Sequence, residues 1–139
     1  MKLYFKTYCN THNLKQVRDF VREGLVQNGI ADPDIYMMVL AVDEICSNLI
    51  IHSNNCDDEK QIDLVLQFIG DKLNITIRDY GISFKYEDHI DNTLEKLVEE
   101  KRKGGLGLLL VKKIMDEVRY ETSSGHNCWV LCKTLKPVG

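Results

Sequence analysis

From Pro33 nothing breaks a helical pattern until Ser53-Asn54-Asn55, which reads as its stop, and this stretch constrains the fold more than any other. Asp32-Pro33 opens it as an acidic N-cap followed by proline at the first helical position, where a missing N–H costs nothing. A helix of about six turns is expected. Met38, Val42, Ile45 and Leu49 recur at helical spacing and face a core, while Ala41, Glu44, Asn48 and His52 fall on a neighbouring stripe, one turn apart. One face is apolar, and the next carries a carboxylate, an amide and an imidazole in a row. In an arbitrary helix such a row is a solvated face. Two further stretches point elsewhere.

The first is Leu73-Asn74-Ile75-Thr76-Ile77-Arg78-Asp79-Tyr80-Gly81. Strict alternation makes it a strand with Leu73, Ile75 and Ile77 on the buried face, and the same period puts Asp79 there. An unpaired buried carboxylate costs several kcal/mol, so either the protein or a ligand must supply donors. Gly81, two residues on, allows a backbone or a flat ring to approach where a side chain would block it. An exocyclic amine over an aspartate, with a glycine alongside, is what an adenine pocket requires.

The second is Lys103-Gly104-Gly105-Leu106-Gly107-Leu108, which follows a polar run and opens an apolar helix expected over Leu108 to Val118. Glycines at a helix start expose backbone N–H groups at the positive end of the dipole, which suits phosphate. The run is neither Gly-x-x-x-x-Gly-Lys-Ser/Thr nor a dinucleotide fingerprint, because Leu110 stands where the last glycine of the latter belongs.

In this order and spacing the three stretches resemble the N, G1 and G2 boxes of the GHKL ATP-binding superfamily, and within it the anti-sigma-factor serine kinases of bacterial stress and sporulation control. The resemblance runs from about Leu14 to Lys133, and Glu44-Ile45-Cys46-Ser47-Asn48 continuing to His52 is its most specific part. The G1 box departs from the common pattern, with Ser83 in place of a second glycine.

At 139 residues the chain is expected to be one domain spanning 1–139. Strands are expected over Lys2 to Cys9, Gln61 to Phe68, the Asp79 strand, Val118 to Thr122 and Cys128 to Leu135. A first helix, capped by Asn10 or Thr11, carries the stripe Leu14, Val17, Phe20, Val21 and Leu25. Gly70-Asp71 turns one strand into the next, and Ser123-Ser124-Gly125 turns the last pair. This order predicts an α/β two-layer sandwich (α+β) with a mainly antiparallel sheet and helices on one face, which matches the Bergerat (GHKL ATPase) fold implied by the resemblance. The charged segment at about residues 82–104 falls where that superfamily places its ATP lid.

A net charge of −3 leaves no electrostatic footprint for direct nucleic-acid binding, and no apolar run is long enough for a membrane span. The N-terminus alternates like a strand instead of carrying a signal-peptide core, so the expected location is the cytoplasm. Five scattered cysteines without C-x-x-C spacing read as reduced thiols.

The resemblance implies a role for each matching position. Asn48 supplies an amide oxygen for Mg²⁺, and Glu44 orients or deprotonates the nucleophile. Asp79 accepts from the adenine amine with Gly81 beside the base. Gly104, Gly105, Leu106 and Gly107 wrap the phosphates of ATP, and Lys103 or Arg102 neutralises charge on the γ-phosphate. The implied partners are a sigma factor and its anti-anti-sigma antagonist. The aromatic outer side of the first strand, Tyr4 and Tyr8, predicts a homodimer. Two other readings compete: a non-catalytic, ATP-dependent switch module, for which Glu44 has no use, and a histidine-kinase catalytic domain, for which an upstream dimerisation helix is missing.

Overall fold

A computed structural model describes residues 2–54, 56–80, 105–123 and 126–135. Strand β1 (Lys2–Tyr8) leads through a short 3-10 turn (Thr11–Asn13) into helices α1 (Leu14–Gln27) and α2 (Asp32–Asn48), which ends in a π turn, Leu49–Ser53. The hairpin β2 (Gln61–Ile69) and β3 (Lys72–Asp79) follows, then helix α3 (Gly105–Ile114) and strands β4 (Glu117–Ser123) and β5 (His126–Thr134). The segment expected to form a lid, 82–104, lies outside the described residues.

The five strands form one sheet in the order β1-β2-β3-β5-β4, with every neighbouring pair antiparallel. Alternation decides its faces. Leu64, Leu66, Leu73, Ile75, Ile77, Trp129 and Leu131 are buried under Val17, Val21 and Leu25 of α1, Met38, Val42 and Ile45 of α2, and Leu108 and Val111 of α3. The helices thus cover one side, with α2 packed between the other two, as the sequence pattern predicts. Phe5 stacks on Phe20 at 5.0 Å and ties β1 to α1. Gly70 takes φ of 62° in the β2–β3 turn, a conformation costly for any side-chain-bearing residue.

Four boundaries differ from expectation. Ala31, not Asp32, is the N-cap of α2, because Ile35 N–H already bonds Ala31 C=O at 3.0 Å; Asp32 and Pro33 occupy the first turn. Helix α3 starts at Gly105 rather than Leu108, and it ends at Ile114 because the chain is captured by β5. Asp116 N–H donates to Cys132 C=O at 2.9 Å, and Thr134 N–H donates back to Asp116 Oδ2 at 2.8 Å. That backbone bond, ahead of the nearby Lys133, holds the Asp116 carboxyl below its ordinary pKa. Val118 accordingly belongs to β4, opposite Leu131. Asn10 caps the 3-10 turn rather than α1 itself, its Oδ1 accepting from His12 N–H.

Candidate functional site

Two cross-strand rows of the covered sheet face are apolar: Leu3, Leu66, Ile75 and Leu131, then Phe5, Leu64, Ile77 and Trp129. The next row reads Thr7, Ile62, Asp79 and Asn127, in the same register. Thr7, Asp79 and Asn127 are all buried, with Asp79 at 0% exposure. A core that turns polar along one edge row, with a carboxylate at its middle, has been shaped for something other than helix packing.

The π turn closes over this row. Asn54 N–H bonds Leu49 C=O at 3.0 Å, so the last turn of the long helix is widened by one residue. The Asn54 side chain consequently points at β3, where Nδ2 donates to Asp79 Oδ2 at 2.9 Å as well as to Leu49 C=O at 2.7 Å. The helix stop that Ser53-Asn54-Asn55 presents in sequence gives no role to Asn54. Three polar residues in succession are the signal, but a π turn leaves no trace in periodicity.

Ten residues back along α2, roughly 15 Å at the helical rise, stands Glu44. A Cβ added to Gly107 would run into the Glu44 carboxylate, so the first turn of α3 lies directly on this side chain and any larger residue would displace it. The glycine turn and the carboxylate, 63 positions apart in sequence, form one site. Glu44 is half-buried, and its pKa is raised first by desolvation and then by the adjacent Asp43. Asp43 is held away from it by Arg18 of α1 at 3.0 Å. One turn beyond Glu44, Asn48 is 7% exposed, and its amide nitrogen is buried without a hydrogen-bond partner among the described residues.

The structure therefore sets Gly107 against Glu44 near the C-terminal end of α2, with Asn48 one turn further on, and places Asp79 with Asn54 just beyond that end, at the π turn. Gly105 and Leu106 open α3 in the same turn as Gly107, whereas Gly81, Lys103 and Gly104 lie outside the described residues. Buried amide atoms awaiting partners, an acceptor-rich floor and a glycine turn against a carboxylate all fit a polar, elongated ligand. Among the described residues no group of three or more His, Cys, Asp or Glu side chains could hold a metal. Asn48 carries the one amide oxygen that the sequence reading offers to Mg²⁺.

The cysteines take no part in this chemistry. All five are free, and Cys9 and Cys46 are fully buried near Asp79. Burial, reinforced by the neighbouring carboxylates, pushes the Cys9 thiol up to about 12 and raises that of Cys46 as well. Neither forms a thiolate near neutrality.

Residues 9–133 match the Histidine kinase-like ATPase domain family. Among curated relatives, the serine-protein kinase RsbW of Bacillus velezensis is 32% identical over 101 residues, covering 70% of this chain and 63% of the relative. RsbW of Bacillus pumilus is 34% identical over 110 residues, covering 75% and 65%. The chain thus spans under two thirds of the length of these relatives. Its fold is similar to that of the RsbU and RsbW domains of Rv1364c from Mycobacterium tuberculosis, with a TM-score of 0.71 at 19% identity over 99% of this chain and 34% of that one. It is also similar to a chain of the SiaB-SiaC complex from Pseudomonas aeruginosa, with a TM-score of 0.64 at 14% identity, covering 94% and 88%.

Proposed function

The chain belongs to the family of histidine kinase-like ATPase domains, and on that premise we propose that it is a serine/threonine protein kinase of a partner-switching system. In this reading residues 1–139 act as one domain that binds Mg·ATP between α2 and the end of β3. It phosphorylates an anti-anti-sigma antagonist and sequesters a sigma factor when that antagonist is absent. The cytoplasm is where such partners meet. The observation that carries the proposal is the contact of Glu44 with Gly107, which sets a carboxylate of raised pKa at the turn suited to phosphate. A purely ATP-set switch has no use for a base at that point.

Each residue then has a defined task. Asp79, steadied by Asn54, accepts from the adenine amine. Asn48 offers its amide oxygen to Mg²⁺, whose charge offsets that of the phosphates when bound. Glu44 takes the proton of the acceptor hydroxyl as its oxygen bonds the γ-phosphorus and the bond to ADP breaks. Gly105, Leu106 and Gly107, with Gly104 and Lys103 before them, hold the phosphates. Phosphoryl transfer requires positioning and charge compensation more than covalent help, so this set suffices. The test is incubation with γ-labelled ATP and candidate antagonists. Label on a serine or threonine of one antagonist is expected, and nucleotide binding without transfer to any of them would leave the switch module as the better account.

We also propose a homodimer through the outer sheet face. Tyr4 is 68% and Tyr8 49% exposed on β1. Beside them a depression of about 340 Å³ is lined by Lys6, Asp63, Val65 and Arg78, on the side of the sheet away from the nucleotide site. Tyrosine is enriched at protein interfaces, and these rings stand beside the cross-strand neighbours Lys6, Asp63 and Arg78. Tyr4→Lys combined with Tyr8→Lys is expected to convert dimer to monomer in light scattering. A wild-type protein that is monomeric at tens of micromolar would refute the pairing.

A further inference from the structure

We propose that Asn54 is the positioning residue that sets base selectivity, by orienting Asp79 and by adding a second acceptor that favours a 6-amino purine over a 6-oxo purine. The inference rests on the nucleotide pocket proposed above and concerns a residue outside the three boxes on which that pocket was identified.

An asparagine amide has two N–H donors and one acceptor oxygen. Both donors of Asn54 are spent on acceptors, the Leu49 carbonyl at 2.7 Å and Asp79 Oδ2 at 2.9 Å. This fixes which way the amide faces, since a flip would set its oxygen against both of them. The backbone is held as well: Asn54 N–H bonds Leu49 C=O at 3.0 Å, and Asn54 C=O accepts from Asp57 N–H at 2.9 Å. A residue tied through two side-chain and two backbone hydrogen bonds at 5% exposure cannot follow a rotating carboxylate; it dictates the carboxylate's orientation.

The remaining atom, Asn54 Oδ1, is buried and has no hydrogen-bond partner among the described residues. A buried acceptor without a donor is costly, and it is tolerated where a ligand or an ordered water completes it. With Asp79 ionised, the pair offers a ligand acceptors alone. The adenine 6-amino group carries two N–H bonds and meets that demand, directly or through one water. Hypoxanthine places a carbonyl at the same edge and confronts acceptor with acceptor. Sites built around a hydrogen bond reject analogues that lack it far more strongly than apolar pockets reject a change of size.

The experiment compares ADP and inosine diphosphate by calorimetry in wild type, Asn54→Leu and Asn54→Ser, with circular dichroism as the check on folding. Leucine removes all polar atoms at similar volume. Serine is small enough to keep the variant folded if leucine does not, and it cannot span both acceptors. Wild type is expected to prefer ADP. Each variant is expected to lose roughly tenfold to hundredfold in ADP affinity, the scale of a hydrogen bond to a charged group, with inosine diphosphate affinity nearly unchanged, so that the preference collapses. Were Asn54 only a cap on the π turn, both nucleotides would weaken together. An equal loss for both, or an unchanged ratio, overturns the inference while leaving the pocket in place. Failure of wild type to bind either nucleotide overturns the pocket itself, and this inference with it.

Discussion

Replacement of Glu44 by alanine is expected to lower phosphoryl transfer by roughly 10²–10⁴-fold, the usual contribution of a general base, while Mg·ADP binds about as well as to wild type. The asymmetry follows from where the carboxylate sits. It lies against Gly107 at the glycine turn, ten residues along the helix from Asn54 and the base-binding floor, so the nucleotide keeps its adenine contacts when Glu44 is gone. Its pKa is raised by burial and by Asp43. A base works only when deprotonated, so the transfer rate should fall as pH drops through this raised value, at a higher pH than an ordinary glutamate would give. Rate profiles of wild type, with Glu44→Ala as the flat baseline, read this directly. Gly107→Ala provides an internal comparison. In an exposed helix that change is stabilising by about 0.5–1 kcal/mol, but here the new methyl competes with the carboxylate for the same space, and transfer should fall although the base is still present. Equal transfer by Glu44→Ala and wild type would transfer the argument to the non-catalytic reading.

What could be read from the sequence was what rests on period and local chemistry. The alternation Leu73, Ile75, Ile77, Asp79 placed the carboxylate on the covered face, where it is completely buried. The helical stripe placed Met38, Val42, Ile45 and Leu49 in the core and set Glu44 and Asn48 one turn apart beside it. The hairpins β2–β3 and β4–β5 followed from the turns between them, whereas the pairing of β3 with β5 across α3 did not. Contacts between distant segments were not legible in this way. Nothing local says that Gly107 faces Glu44, because that depends on α3 crossing α2 at one particular turn. Nor does periodicity announce the π turn, whose single extra residue redirects Asn54 from solvent to Asp79. The start of α3 was placed too late because glycine lowers helix propensity; at Gly107 that penalty is outweighed by the close approach to Glu44 that glycine permits. Its end was placed too late because the apolar pattern runs on through Met115 and Val118, while the bonds of Asp116 to β5 decide where the helix stops.

Asp79→Asn is expected to lower adenine-nucleotide affinity by roughly 10²–10⁴-fold with the fold retained, and to improve binding of inosine diphosphate. The side chains are nearly isosteric, so the apolar packing around Ile62 and Ile77 is undisturbed. The difference lies in hydrogen-bonding capacity, since a carboxylate only accepts and an amide offers both an acceptor and two donors. Asn54 Nδ2 stands 2.9 Å from Asp79 Oδ2 and can only donate, so the new amide must turn its oxygen toward Asn54. Its NH₂ group then takes the place of the other carboxylate oxygen. An adenine amine arriving there meets a donor instead of an acceptor, losing a hydrogen bond to a charged group and leaving buried donors unpaired. Terms of about 1.5–3 and 1–3 kcal/mol respectively give the expected loss. A 6-oxo purine meets the same amide with its carbonyl, which is why its affinity should rise. Calorimetry of the variant with ADP and inosine diphosphate distinguishes this exchange from general damage, which would weaken both. Unchanged ATP affinity would remove Asp79 from the site, and the polar edge row of the sheet would then need another ligand to explain it.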